Sequence, residues 1–275
     1  MTDTPAPAIP SATVLLLRDR PGGFEVFMVK RHSGIDFAGG ALVFPGGKTD
    51  PGDIEHGWDD HCDGVDGLSP IEIGNRVCGI RETFEEAGFL LARDKHDGAL
   101  IGKDRAGELG EKYRNAVHSG DVGMREMAQA ENLILACDLM VPYAWWITPS
   151  PFPKRFDTWF FMARAPEDQQ GSHDQGESVD SLWISPDKPL QAAADQDFKI
   201  VFATRMNLKK AGRATTVDEA LAAAAADTIV PVEPHVTRAD EGIIFRIPEE
   251  AGYGLTEHLE TDGATRVPKT AGEGR

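Results

Sequence analysis

Cysteine, basic residues and long apolar runs are all scarce in this 275-residue chain. Each shortage excludes something. The three cysteines, Cys62, Cys78 and Cys137, are odd in number and far apart, which fits a reducing compartment better than a disulfide framework. None has a second cysteine or a histidine at zinc-finger spacing. Lysine and arginine total 28 against 45 aspartates and glutamates, a net charge of −17. Nucleic-acid binders need a basic stripe, and anionic membranes repel such a chain, so neither partner is expected. No apolar run reaches 18 residues, and residues 1–10 lack a charged-then-apolar signal layout. The expectation is a soluble, cytoplasmic protein. If its substrate is itself a polyanion, cations must be supplied locally, and bound metal ions are the obvious source.

The apolar content of 41% is enough for a sizeable core. Residues 1–10 are proline-rich and expected to be a disordered lead-in. Strands are expected at 13–18, 24–31, 41–44, 144–148, 155–164 and 179–184. The acidic stretch from Lys48 to Leu68 reads as loop. Ser69-Pro70-Ile71-Glu72 combines an N-cap serine, a proline at the first helical position and a glutamate at the third, so a helix should run from 69 to about 92. Residues 103–137 are expected to be irregularly helical and 187–226 largely helical, with short strand-like pieces after Asp227. The predicted class is an α/β sandwich with a mixed sheet and C-terminal helices. Its divisions are a main domain over 11–190 with an insertion at about 54–68, a helical extension over 191–255, and a flexible tail over 256–275.

On a helical wheel, Val77, Ile80, Phe84, Ala87, Gly88 and Leu91 occupy one face of the helix. Glu82, Glu85 and Glu86 occupy the opposite one. Such a ridge is ordinarily a solvated acidic face. The glutamates are read as having no basic partner three or four positions away, so their repulsion costs about 0.2–0.5 kcal/mol per pair. A hard divalent cation would reverse that sign. Upstream, Pro45-Gly46-Gly47-Lys48 follows a strand directly, and a Gly-Gly turn lets backbone groups approach a ligand closely.

Together, Gly47, the acidic Asp53 six residues on, and Arg81-Glu82-x-x-Glu85-Glu86-x-Gly88-Phe89 resemble the Nudix box, G-x5-E-x7-R-E-U-x-E-E-x-G-U, where U is a bulky aliphatic residue. The resemblance implies an α/β/α sandwich that hydrolyses a diphosphate using Mg²⁺ or Mn²⁺. It implies metal binding by Glu82, Glu85, Glu86 and the Gly47 carbonyl, with Arg81 orienting the glutamates. Three positions depart from the pattern. Asp53 replaces glutamate, Thr83 replaces an aliphatic residue, and 27 residues separate Asp53 from Arg81, an insertion of 20. The insertion leaves Asp53 without an assigned role. Glu72, nine residues before Arg81, is an uncertain substitute for it.

An interrupted box, with Trp146-Ile147-Thr148-Pro149 and Arg155-Phe156-Asp157-Thr158 downstream, looks like the long-insert Nudix subgroup that includes the peroxisomal acyl-coenzyme A diphosphatase. The implied reaction cleaves coenzyme A or an acyl ester into 3′-phosphoadenylate and phosphopantetheine. The alternatives are a Nudix hydrolase for ADP-ribose, reduced dinucleotides or another nucleoside diphosphate derivative, or a non-catalytic nucleotide-sensing module. Glu177 matches a loop glutamate that faces the metal site in many Nudix enzymes, and it is the second candidate base beside Glu82. Arg31, Lys48 and Arg155, with Lys30 and Lys154, are candidate phosphate contacts. Trp145, Trp146 and Trp159 are read as core rather than as a stacking platform. His118 shows no partner at ligand spacing. Homodimerisation is left open.

Overall fold

The structure, a computed structural model, describes residues 5–32, 40–150, 152–169, 171, 178–194 and 199–261. An eight-stranded mixed sheet divides the main body. Its central strand, β1 (Ala8–Arg20), runs antiparallel to β2 (Gly23–Arg31) across a Pro21–Gly23 turn, where Gly22 has φ +87. Strands β3 (Leu42–Val43) and β4 (Gly46–Lys48) follow, and β4 pairs with the first half of β1. After the long helix α1 (Pro70–Ala87) come β5 (Ala92–Asp94), α2 (Lys103–His118), α3 (Met124–Ala130) and β6 (Leu133–Leu135), with β5 and β6 paired. Strands β7 (Val141–Ile147), β8 (Arg155–Arg164) and β9 (Ser178–Ile184) return to the large sheet. There β8 lies parallel to β1 over ten residue pairs, and β9 lies antiparallel to β2.

Alternation along β1 shows why the molecule has two cores. Ala12, Val14 and Leu16 point to one face, and Leu15 and Leu17 to the other; all are fully buried. A strand buried on both sides reads as the unbroken apolar run TVLLL. The first face is covered by α1, α2 and α3. The second is covered by α5 (Phe202–Ala211) and α6 (Val217–Ala226), which follow α4 (Asp187–Ala194), and by a small sheet. After β10 (Pro231–Val232), which joins β7, that small sheet is built from β11 (His235–Ala239), β12 (Gly242–Arg246) and β13 (Glu257–Glu260). The class is α/β, a mixed sheet between helical layers.

Several boundaries differ from those expected. Ala8–Pro10 already pair with Arg155–Asp157 of β8, so order begins inside the expected lead-in. Helix α1 stops at Ala87 instead of about 92, because Gly88 turns left-handed at φ 72 and its N–H caps Phe84 O. Its start matches the sequence signal: the Ser69 N–H and hydroxyl both donate to Glu72 Oε2, at 2.9 and 2.6 Å. Glu72 is thus occupied as a cap and does not replace Asp53. Residues 257–260, expected in a loose tail, complete the small sheet.

The inserted segment is not a bare loop. Trp58, Cys62 and Val65 are buried in the first core, and the Trp58 indole donates to Gly52 O at 3.0 Å. Spacing between these residues follows neither helix nor strand, which is why periodicity misses them.

Candidate active site

The site forms where β4 runs beneath α1. Pairing of Ala12 with Gly47 and Thr13 with Gly46 brings the Gly-Gly backbone against the helix. A Cβ on Gly47 would stand 2.6 Å from Glu82 Cδ, and one on Gly46 would stand 2.5 Å from Ala12 O. Close approach, not a left-handed φ, is therefore what demands glycine here. The Gly46 N–H donates to Glu86 Oε2 at 3.0 Å, so loop and helix are joined directly.

Arg81 is the hub. Its Nε donates to Asp53 Oδ1 at 3.0 Å and its Nη2 to Asp53 Oδ2 at 2.9 Å, a bidentate pair. Nη2 also reaches Lys48 O at 2.7 Å, while Nη1 donates to Glu82 Oε1 at 2.9 Å and Glu85 Oε1 at 3.0 Å. Asp53 is itself fixed by a short helical turn (Pro51–Asp53), with Asp50 N–H donating to its Oδ2 at 2.9 Å. The expected lack of a base near the glutamates is thus corrected: Arg81 precedes Glu85 by four residues and pairs with it. Asp53, left without a role because of the insertion, pairs bidentately with Arg81 across it.

Glu82, Glu85 and Glu86 do share one ridge, yet this ridge is buried: their relative exposures are 9%, 5% and 4%. A solvated acidic face is excluded by those values. Burial pushes the Glu82 carboxyl well above the usual range, Arg81 opposes it, and the Glu86 and Glu85 charges push it further up. Burial likewise raises Asp53 against the pull of Arg81. Arg81 rises above its ordinary value because the Asp53 hydrogen bonds and the Glu82 charge outweigh its own desolvation. Three buried carboxylates, Asp53, Glu82 and Glu85, thus bond to one guanidinium, and the buried Glu86 adds a fourth negative group on the same ridge; such an excess of negative charge is the kind of donor set that could hold a hard, oxygen-seeking divalent cation. Glu82, which accepts from Arg81, and Glu86, which accepts from Gly46 N–H, are the carboxylates that could hold such a cation. Both oxygens of Glu85 already face protein groups, Oε2 lying 3.4 Å from His118 Nδ1.

The other candidates separate. Lys48 is exposed at the rim, and among the described residues nothing pairs with its ammonium group. Arg31 ends β2 opposite Ser178 of β9. Arg155 is engaged within the protein: its guanidinium donates to Thr148 O, Ala6 O and Glu233 Oε1 at 2.9, 3.0 and 2.8 Å, strapping three segments together. Glu177 lies outside the described residues. Trp146 is core, hydrogen-bonded to Tyr253, whereas Trp145 and Trp159 are half-buried and stacked at 5.1 Å. Sequence reasoning missed what α2 contributes: Arg114 Nε donates to Glu85 O at 2.7 Å, and His118 approaches the Glu85 carboxylate. Their four-residue spacing puts both on one face of α2. Only the packing of α2 on α1 shows what that face meets.

This buried acidic helix, glycine loop and layered sheet define a Nudix domain. The chain belongs to that family: residues 59–204, just over half of it, match the family model of the NUDT19 Nudix domain. It is 24% identical over 206 residues to the acyl-coenzyme A diphosphatase NUDT19 of Xenopus laevis, covering 61% of this chain and 54% of that protein. Against the human protein of the same name it is 26% identical over 210 residues, covering 62% and 56%. The chain therefore spans little more than half the length of these relatives. A Nudix hydrolase structure from Alicyclobacillus acidocaldarius superposes with a TM-score of 0.62 at 24% identity, covering 79% of this chain and 96% of that one, which supports the fold.

Proposed function

We propose that this protein hydrolyses the diphosphate linkage of a nucleotide derivative with the help of Mg²⁺ or Mn²⁺, and that coenzyme A or an acyl-coenzyme A is the substrate. The observation that carries this reading is the buried set Glu82, Glu85 and Glu86 against Gly47, with Arg81 as its counter-cation. A divalent ion held there supplies charge neutralisation for the diphosphate oxygens and for the transition state. Glu82 and Glu86 are its principal ligands, and Glu85 holds Arg81 and His118 in place. Glu82 is one candidate to take the proton of the attacking water. Glu177 is the second candidate for that task. Lys48 and Arg31 bind outer phosphate oxygens. Coenzyme A as substrate rests on the names of the relatives and on the resemblance of the interrupted box to the long-insert Nudix subgroup. A reducing location such as the cytoplasm is proposed from the three free cysteines.

The test incubates purified protein and Mg²⁺ with coenzyme A, acyl esters, ADP-ribose and reduced dinucleotides, followed by mass spectrometry. Formation of 3′-phosphoadenylate with phosphopantetheine is expected. Consumption of ADP-ribose alone would move the substrate within the family, and no turnover of any compound would remove the enzymatic reading.

A further inference from the structure

Two tryptophans lie beside the acidic ridge without a task in the chemistry above, and cross-strand register fixes where. Gly47 of β4 pairs with Ala12 of β1, Ala12 with Trp159 of β8, and Trp159 with Trp145 of β7. Residues directly opposite each other share a face of the sheet. This is the face on which a Cβ at Gly47 would meet Glu82. At a strand spacing of about 4.8 Å, Trp159 and Trp145 stand about 10 and 14 Å from Gly47 along one row. Their indoles stack at 5.1 Å with 16° between planes, and the stack continues to the buried Phe161, over which the Arg76 guanidinium sits at 5.3 Å. Asp157 accepts from the Trp145 indole N–H and fixes that ring. Both indoles are half-buried, and beyond Trp145 the row ends on the exposed Pro231 of β10. Helix α1 passes over the same row, for a Cβ on Gly79 would stand 3.9 Å from Ala12 Cβ. Asn75, seven residues before Glu82, projects from the same side of that helix, about 10 Å along its axis. It is 6% exposed, and among the described residues its Oδ1 has no hydrogen-bond partner. A buried carbonyl oxygen is costly to leave in that condition.

We propose, resting on the reading that a nucleotide diphosphate is hydrolysed over Glu82 and Glu86, that Trp145 and Trp159 form the ledge on which the substrate's purine base stacks, with Asn75 meeting the base edge. A diphosphate held at Gly47 leaves its ribose and base to run along the sheet, and the row of register partners leads to the indoles. The ledge is rigid before any ligand arrives, because Asp157 holds one ring and the Phe161–Arg76 stack backs the other, so little ordering is left for the base to impose. Stacking on indole tolerates any base. Selection falls to Asn75, whose Oδ1 is an acceptor and therefore suits a base that presents an amino group, as adenine does.

The test titrates the full chain with adenosine 3′,5′-bisphosphate, its inosine counterpart and base-free pyrophosphate, reading affinity by calorimetry and tryptophan fluorescence in parallel. Wild-type fluorescence should fall on binding of the adenosine compound and stay level with pyrophosphate. Trp145→Leu should bind the adenosine compound about 5- to 100-fold more weakly, the range that one base–aromatic stack supplies. Trp145→Phe keeps a stacking face and should stay within about threefold of wild type. The inosine compound should bind wild type about threefold or more weakly, as loss of one hydrogen bond predicts. With coenzyme A as substrate, Trp145→Leu should raise KM and leave kcat within about threefold, the mark of binding shared by ground and transition states. Equal affinity in wild type and Trp145→Leu, a change confined to kcat, or unchanged wild-type fluorescence on binding would overturn the ledge; equal affinity for the inosine compound would overturn the role of Asn75. If Trp145→Leu does not fold, the wild-type fluorescence and Trp145→Phe still decide. Binding through Trp145 without any turnover would sink the catalytic reading alone, whereas turnover of coenzyme A indifferent to Trp145 would sink the ledge alone.

Discussion

Gly47 concentrates the site's sterics in one missing methyl group. Alanine there would put Cβ into the Glu82 carboxylate and force that carboxylate to swing away from its place beside the loop. Gly47→Ala is expected to lower kcat/KM by about 100-fold or more, the loss a misplacement near 1 Å causes, with only a modest fall in Tm. Activity within a factor of three of wild type would show that the carboxylate need not sit where it does. Glu86→Gln keeps shape and removes charge, and should abolish Mg²⁺-dependent turnover while the protein still unfolds cooperatively. Near-normal rates in that variant would remove Glu86 from the metal site. The glutamates and Gly47 were legible because their spacing is local. Asp53 was not, since its partnership with Arg81 depends on how 27 intervening residues fold back. For Arg155 the charge was legible but not the carbonyls of Thr148 and Ala6 that engage it.

Among elements, α1 was readable at its start and blurred at its end. The capping box is a four-residue pattern, whereas the stop depends on Gly88 turning left-handed where apolar residues continue through Leu91. The insertion was opaque because its buried residues serve a surface made by other segments. Trp58 shows how much it contributes. Trp58→Ala should cost about 3–5 kcal/mol of unfolding free energy, as large aromatic deletions in cores do. A loss below 1 kcal/mol in urea denaturation would mean that the segment is merely draped over the body. Helix α2 is tied down separately: Glu131 accepts from Lys112 and Tyr113 at 2.7 and 2.6 Å and also pairs with Arg105. Hydrogen bonds from Lys112 and Tyr113, the two largest causes, pull its pKa down to about 2. A carboxyl lowered on folding stabilises the protein above its unfolded value of 4.5 and loses that contribution as pH falls toward about 2. Glu131→Gln should therefore lower Tm at pH 7 and converge with wild type near pH 2 to 3; an equal gap at both pH values would deny the clamp its charge.

At the scale of the whole molecule, a chain of net charge −17 buries part of its negative charge in one knot of carboxylates, and the two facts act together. Burial raises the Glu82 pKa, so without metal its contribution to stability is lost as pH rises through that elevated value. Cation binding to the ionised set reverses the loss, by about 2.7 kcal/mol at a concentration one hundred times Kd. Mg²⁺ should accordingly raise Tm, and by more at pH 8 than at pH 5.5. A Tm indifferent to Mg²⁺ at every pH would leave the acidic knot without its counter-ion. The layered α/β class was legible from alternating strands and amphipathic helices. The small sheet that completes the second core was not, because its last strand lies within a polar tail.

The bidentate grip of Arg81 on Asp53 turns everything between those two residues into a closed ring with a fixed clasp. Lengthening a ring at an exposed bend such as Glu55–Gly57 adds only about 0.6 kcal/mol of closure cost per doubling, and the clasp does not shift. That bend, whose ties to the body are the Arg125 contacts with His56 O and Glu55, is therefore a graft point where a peptide could be spliced in at the cost of those contacts while the clasp stays closed.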